Sequence, residues 1–221
     1  MDAASLVDVA PLWALIPLSA ALGAVLGWWP LHAWSARSLK NATPGTGIRV
    51  LSAVVTAVTF ALLAWRFADR AALLPAVLVF AALATVLAVV DLAERRLPNT
   101  VILWLIGALA ATLVVASALT GLWVQLLWAL IGAAAMFGLY LVLALISPRS
   151  MGMGDVKLAA PLGLLLGWFG LSAWLIGLLA AFICGGVAAI VMLALRRTSL
   201  RGSLPFGPSM LAGTLLAVVL V

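Results

Sequence analysis

The chain has 221 residues, of which 67% are hydrophobic and 8% charged, with a formal net charge of +6. Soluble domains carry roughly 25% charged residues, so a soluble globular protein is excluded. Continuous apolar runs also argue against a β-barrel, whose segments alternate in polarity over about ten residues.

The first residues, "MDAASLVDVAPLW", hold Asp2 and Asp8 but no Lys or Arg. A secretory signal needs a basic start, so the first apolar run reads as a retained span. Eight spans follow in order, near 11–34, 48–67, 71–91, 100–119, 122–146, 156–171, 173–195 and 206–221. Each approaches the roughly 20 apolar residues that cross a bilayer, although the sixth and eighth are short. Pro161 is expected to bend the sixth. The expected fold class is therefore all-α, a polytopic integral membrane protein forming a single membrane-embedded domain over 1–221.

Sidedness follows from Lys and Arg. With the N-terminus outside, ten fall in inner loops (Arg37, Lys40, Arg49, Arg95, Arg96, Arg149, Lys157, Arg196, Arg197 and Arg201), and two, Arg66 and Arg70, fall outside. The basic excess is thus a topology signal and does not indicate nucleic-acid binding. Trp13, Trp65, Trp123, Trp168 and Trp174 lie near the outer ends, as an aromatic belt would. Cys184 is alone, so it forms no intrachain disulfide and no CxxC pair. His32, the lone histidine, reads as an interfacial residue at the inner end of the first span.

Three acids remain on the inner side: Asp91, Glu94 and Asp155. Asp91 closes the third span and Asp155 opens the sixth, so parity places both at one membrane face. An ionisable group beside hydrocarbon is costly and by default a functional candidate. Two carboxylates brought together do not both ionise readily and share a proton. Such a pair can activate water and protonate a leaving amine, with no metal or cofactor.

In "SPRSMGMGDVKLAAPLG", Gly152 and Gly154 permit unusual backbone angles and close approach of a peptide. The plainer alternative makes this a flexible turn with Asp155 as a helix N-cap. In "VVDLAERRLPNTVILW", Pro98 stops the third span and Asn99 is a candidate N-cap for the fourth. Glu94, with Arg95 and Arg96, reads as a solvated interfacial turn. In "RGSLPFGPSMLAG", Pro205, Phe206, Gly207 and Pro208 interrupt the chain at the same inner face. Irregular backbone at that depth is tolerated where it lines a cavity or is buried in protein.

Together "DLAERRLPN", "GMGDVKLAAPLGLLLGW" and "LPFGP" resemble the three ordered motifs of the type IV prepilin peptidases, over residues of about 75–215. The resemblance implies an aspartic endopeptidase of the inner membrane, cutting prepilin or pseudopilin precursors at the cytoplasmic edge of an apolar helix. It makes Asp91 and Asp155 the acid–base pair and Gly152 and Gly154 shapers of the second site. Lys157 either tunes the pair or snorkels to the interface. Long family members carry paired CxxC motifs between the first two spans, associated with N-methylation. Here that interval is only "SARSLKNATPGTGIR", so the expectation is a short-form peptidase without methyl transfer. Two rivals are a proton- or ion-coupled transporter and a presenilin-like GxGD protease. Clustering of the acids at one face opposes the first. The second needs Tyr-Asp and Pro-Ala-Leu motifs, whereas Val90 precedes Asp91.

Overall fold

A computed structural model describes residues 10–40, 45–147, 151–195 and 205–221. Asp2, Asp8, Arg149, Arg196, Arg197 and Arg201 lie outside these described residues, as does the first part of the "RGSLPFGP" stretch. Within them every regular element is helical: α1 (Ala10–Trp28), α2 (Pro30–Ser38), α3 (Thr46–Arg66), α4 (Leu74–Glu94), α5 (Asn99–Thr120), α6 (Trp123–Ile146), α7 (Met153–Trp168), α8 (Leu171–Ala194) and α9 (Gly207–Leu220), with a 3-10 turn over Ala71–Leu73. The chain is an all-α, multi-pass membrane protein. Among the described residues, six stretches are long and apolar enough to cross a membrane: Ala14–Ser38, Thr46–Arg66, Ala71–Glu94, Asn99–Thr120, Trp123–Ile146 and Leu171–Ala194.

The expected first span is divided. Pro30 cannot donate a backbone hydrogen bond, and α1 gives way to α2 at Trp29. Helix α4 runs three residues past the expected end at Asp91. Helix α7 starts three residues earlier than expected and therefore takes Asp155 into its first turn. It continues through Pro161 to Trp168.

The two short spans are α7, with 16 residues, and α9, with 14 residues. At 1.5 Å per residue they reach about 24 and 21 Å, against a hydrocarbon core of about 30 Å. Helix α7 tolerates this because protein surrounds it. Val156, Leu158, Ala159 and the whole run from Pro161 to Trp168 are buried. A helix apolar on all sides belongs in the middle of a bundle.

Lipid tails are as apolar as leucine, so helix association here depends on close packing. Helix α1 lies on α3 through Gly23 and Gly27; a Cβ at Gly27 would stand 2.7 Å from the Ser52 carbonyl oxygen. Helix α6 meets α7 in the same way. A Cβ at Gly132 would stand 2.6 Å from the Gly163 carbonyl oxygen and 2.8 Å from Gly167 Cα, and one at Gly163 would overlap the Gly132 oxygen. Trp174 Nε1 on α8 donates to the same Gly132 carbonyl at 3.1 Å. Between α3 and α9, Arg66 Nε donates to the Val219 carbonyl at 3.0 Å, with its guanidinium over the Phe67 ring.

The α6–α7 seam generates the first prediction. Gly163→Val forces the two backbones apart and should destabilise the protein by about 1–3 kcal/mol, the usual cost of overpacking. Gly138→Val, on α6 with open space where its Cβ would lie, should cost much less. Thermal unfolding of the two variants in detergent measures the difference.

Candidate active site

Asp91 sits in the last turn of α4 and is 4% exposed. A buried carboxylate needs hydrogen-bond donors, and one comes from far along the chain: the Gly207 N–H donates to Asp91 Oδ2 at 3.1 Å. A Cβ on Gly207 would stand 2.7 Å from that oxygen and 3.2 Å from Leu97 Cδ2. Glycine is required there for close approach. Phe206 holds this backbone in place. Its ring packs against Phe182 of α8 and Tyr140 of α6, with centroids 5.5 and 6.4 Å away. Pro208 then enters the first turn of α9, where the missing N–H costs nothing, and Pro205 lies in the irregular segment before it.

Asp155 is half-buried in the first turn of α7. The N-cap is Gly152, so Asp155 occupies the third helical position and is not the cap itself. Its carboxylate accepts a hydrogen bond from the Gly152 backbone and lies within electrostatic reach of Asp91. Tyr140 is in turn within reach of Asp155. The structure therefore brings Asp91 and Asp155 to one place, as helix parity anticipates.

The glycines act differently from expectation. Gly152 has φ −77° and ψ 146°, an extended conformation open to any residue. Among described residues the glycines with positive φ are Gly121 and Gly170, both outside the motifs. Gly154 serves close approach, since a Cβ there would lie 3.1 Å from Leu97 Cβ. Leu97 is thus wedged between Gly154 and Gly207, and the three stretches meet around it. The sequence marks Leu97 only as part of the turn after Asp91 and does not mark Tyr140. The signal for Tyr140 was that it is the chain's sole tyrosine.

The turn after Asp91 also departs from expectation. The N-cap of α5 is Pro98, with Asn99 as the first helical residue. The Asn99 side chain is used across the site: Lys157 Nζ donates to its Oδ1 at 3.1 Å. Lys157 therefore bridges the second motif to the first. Glu94 is not solvated, its side chain being 7% exposed. It receives Arg96 Nε at 2.5 Å and the Lys40 backbone N–H at 2.6 Å, while Arg96 also donates to the Ser38 carbonyl. This clamp fastens the chain after α2 to the end of α4. Arg95, between the clamped residues, takes a left-handed conformation at φ 53° and donates its N–H to the Asp91 carbonyl at 2.8 Å. A non-glycine residue there is strained, and the flanking ion pair holds it.

Among described residues no three His, Cys, Asp or Glu side chains converge, so the site offers two carboxylates with a lysine, a tyrosine and backbone donors around them. That set can polarise water and pass a proton.

Removing the Glu94 charge takes from Arg96 its ion-pair partner while leaving its bond to the Ser38 carbonyl. Glu94→Gln should lower stability by about 1–2 kcal/mol, discounted from the cost of breaking a fully buried pair because Arg96 is partly exposed. The double variant Glu94→Gln/Arg96→Gln should be no less stable than Glu94→Gln alone. Denaturation of the three proteins in detergent checks both statements.

The type IV leader peptidase family matches residues 78–190, just over half of the chain and inclusive of both aspartates. The prepilin leader peptidase/N-methyltransferase of Bacillus subtilis (strain 168) is 35% identical over 165 residues, covering 74% of this chain and 62% of the relative. The chain thus spans less than two thirds of that relative's length. No solved structure matches the chain. With Asp91 and Asp155 within electrostatic reach of each other and both inside the matched interval, the chain belongs to the type IV leader peptidase family.

Proposed function

We propose that the protein is an aspartic endopeptidase that removes the leader of a type IV prepilin or pseudopilin-like precursor. The convergence of Asp91 and Asp155 at one end of the bundle carries this reading. One carboxylate takes a proton from water as the water oxygen attacks the scissile carbonyl. The other, protonated, shares its proton with the carbonyl oxygen of the tetrahedral intermediate. On collapse the C–N bond breaks and the new amine takes up the proton. The Gly207 N–H fixes Asp91 in orientation, and Lys157 and Asn99 bind the ends of α7 and α5 to each other.

We place this chemistry at the cytoplasmic face of the inner membrane. Lys40, Arg95, Arg96 and Lys157 surround the same end of the bundle as the aspartates, which the positive-inside rule assigns to the cytoplasm. We also propose cleavage without N-methylation. The relative's name includes a methyltransferase, but the short interval between α2 and α3 here holds no cysteine.

With purified protein and a prepilin in detergent, Asp91→Asn and Asp155→Asn should each abolish cleavage while leaving the fold intact. The double variant should be no worse than either, as for groups that act as a unit. Gly207→Ala should lower kcat by at least about tenfold, because the new methyl displaces Asp91. Near wild-type cleavage by Asp155→Asn would end the protease reading. Mass analysis of the product should show an unmethylated N-terminus even with a methyl donor present.

The membrane face is read separately. In a Cys184→Ser background, a cysteine at Ser38 should be labelled from the cytoplasmic side and one at Asp69 from the opposite side. The reverse pattern would invert the topology.

A further inference from the structure

A polar cavity of about 680 Å³ opens between α2 and the turn that leads from α4 into α5. Its volume falls within the roughly 300–1,000 Å³ of small-molecule sites. Two guanidinium groups line it, Arg37 from the last turn of α2 and Arg96 from the turn after α4. Among the described residues no acid does.

The two arginines differ. Arg96 is held in place, its Nε donating to Glu94 Oε2 at 2.5 Å and its Nη2 to the Ser38 carbonyl. Glu94 offsets its charge, and the two bonds use two of the five N–H donors of the fork. Arg37 is exposed and makes no hydrogen bond or ion pair among the described residues. Its charge is the one left over in the cavity.

The start of α5 adds a third wall, through Pro98 and Thr100. Pro98 is the N-cap, and no side chain caps this end. The first N–H groups of a helix lack partners within it, and together with the helix dipole they favour an anion. Three separate segments thus turn positive charge or backbone donors toward one space.

The position of the cavity selects the anion. Ala14–Ser38 is long and apolar enough to cross a membrane, so Arg37 falls at the end of a span, where hydrocarbon gives way to headgroups. Trp29 and Trp34 also line the cavity, and tryptophan settles at that interface. Basic pockets between membrane helices on the cytoplasmic side suit anionic headgroups. We infer that this cavity binds the headgroup phosphate of an anionic phospholipid. Arg37 and Arg96 hold the phosphate oxygens, as guanidinium forks do, and the indoles pack against the glycerol and first acyl carbons. The bound lipid ties α2 to the start of α5, beside the clamp that Glu94 makes with Lys40 and Arg96. A zwitterionic headgroup would bring a cation to the arginines, and a free inorganic anion would leave the indoles uncovered. This role goes beyond the peptidase reading and does not depend on it.

Native mass spectrometry of the full-length protein in detergent, titrated with phosphatidylglycerol or phosphatidylcholine, tests the inference. The first phosphatidylglycerol should bind about tenfold more tightly than phosphatidylcholine. Arg37→Gln should weaken phosphatidylglycerol binding by about tenfold, the loss of one charge-assisted contact. Thr100→Glu should weaken it by a similar factor without harm to the fold, because an acid in the first turn of α5 suits the helix dipole while repelling phosphate. Arg70→Gln, the same loss of charge in the turn between α3 and α4 at the other end of the bundle, should bind like the unmodified protein. Excess inorganic phosphate should leave the lipid in place; its displacement would make this a site for a free anion and overturn the lipid assignment. Equal affinity for the two lipids, unchanged affinity in either cavity variant, or an equal loss in Arg70→Gln would overturn the inference.

Discussion

A carboxylate buried at the end of a membrane helix is the constraint around which the site is arranged. Asp91 is almost fully enclosed, and its partner is a backbone N–H from a residue 116 positions later. That single bond fixes several other features. Gly207 has no side chain because one would collide with the carboxylate. Phe206 is aromatic because it must hold this backbone against α6 and α8. Leu97 fills the space between Gly154 and Gly207, so the turn after α4 and the start of α7 fit only together. An unmade bond to a buried acceptor costs about 1–3 kcal/mol, and more when the acceptor is charged, which explains why three distant segments converge on it.

Much of this was legible in the sequence. Hydropathy located the helices, including the two short ones, because burial in lipid and burial in protein demand the same apolar residues. Helix parity placed Asp91 and Asp155 at one end, since two intervening spans return the chain to the same side. The partners of polar groups were not legible. Glu94, between an alanine and two arginines, looks like a solvated turn; its burial depends on Lys40 and Ser38, more than fifty residues away. Asn99 and Asp155 carry the side chains of caps but sit inside their helices, where they serve Lys157 and the Gly152 backbone. Local preference cannot foresee a bond whose other half is supplied by tertiary structure.

The glycines show the same division. Sequence suggested special backbone angles and close approach of a peptide at the Gly-Met-Gly stretch, and the structure shows ordinary angles there. The requirement is instead for room, at Gly154 against Leu97 and at Gly207 against Asp91. Torsional freedom and bare volume leave the same letter in a sequence, and only the neighbouring helix tells them apart.

The contact of Gly132 with Gly163 and Gly167 has a consequence for how such a chain can change over time. Each glycine is confined by main-chain atoms of the opposite helix, and main chain cannot be traded for a smaller group. No substitution on one helix makes room for a larger residue on the other, so compensating pairs of mutations are closed to this seam. Divergence is channelled to lipid-facing positions such as Leu103, Trp104 and Leu119, all more than 60% exposed, where one apolar side chain serves as well as another. The helix that carries Asp155 is in this sense inherited as a fixed block, and adaptation to different membranes takes place on the surface around it.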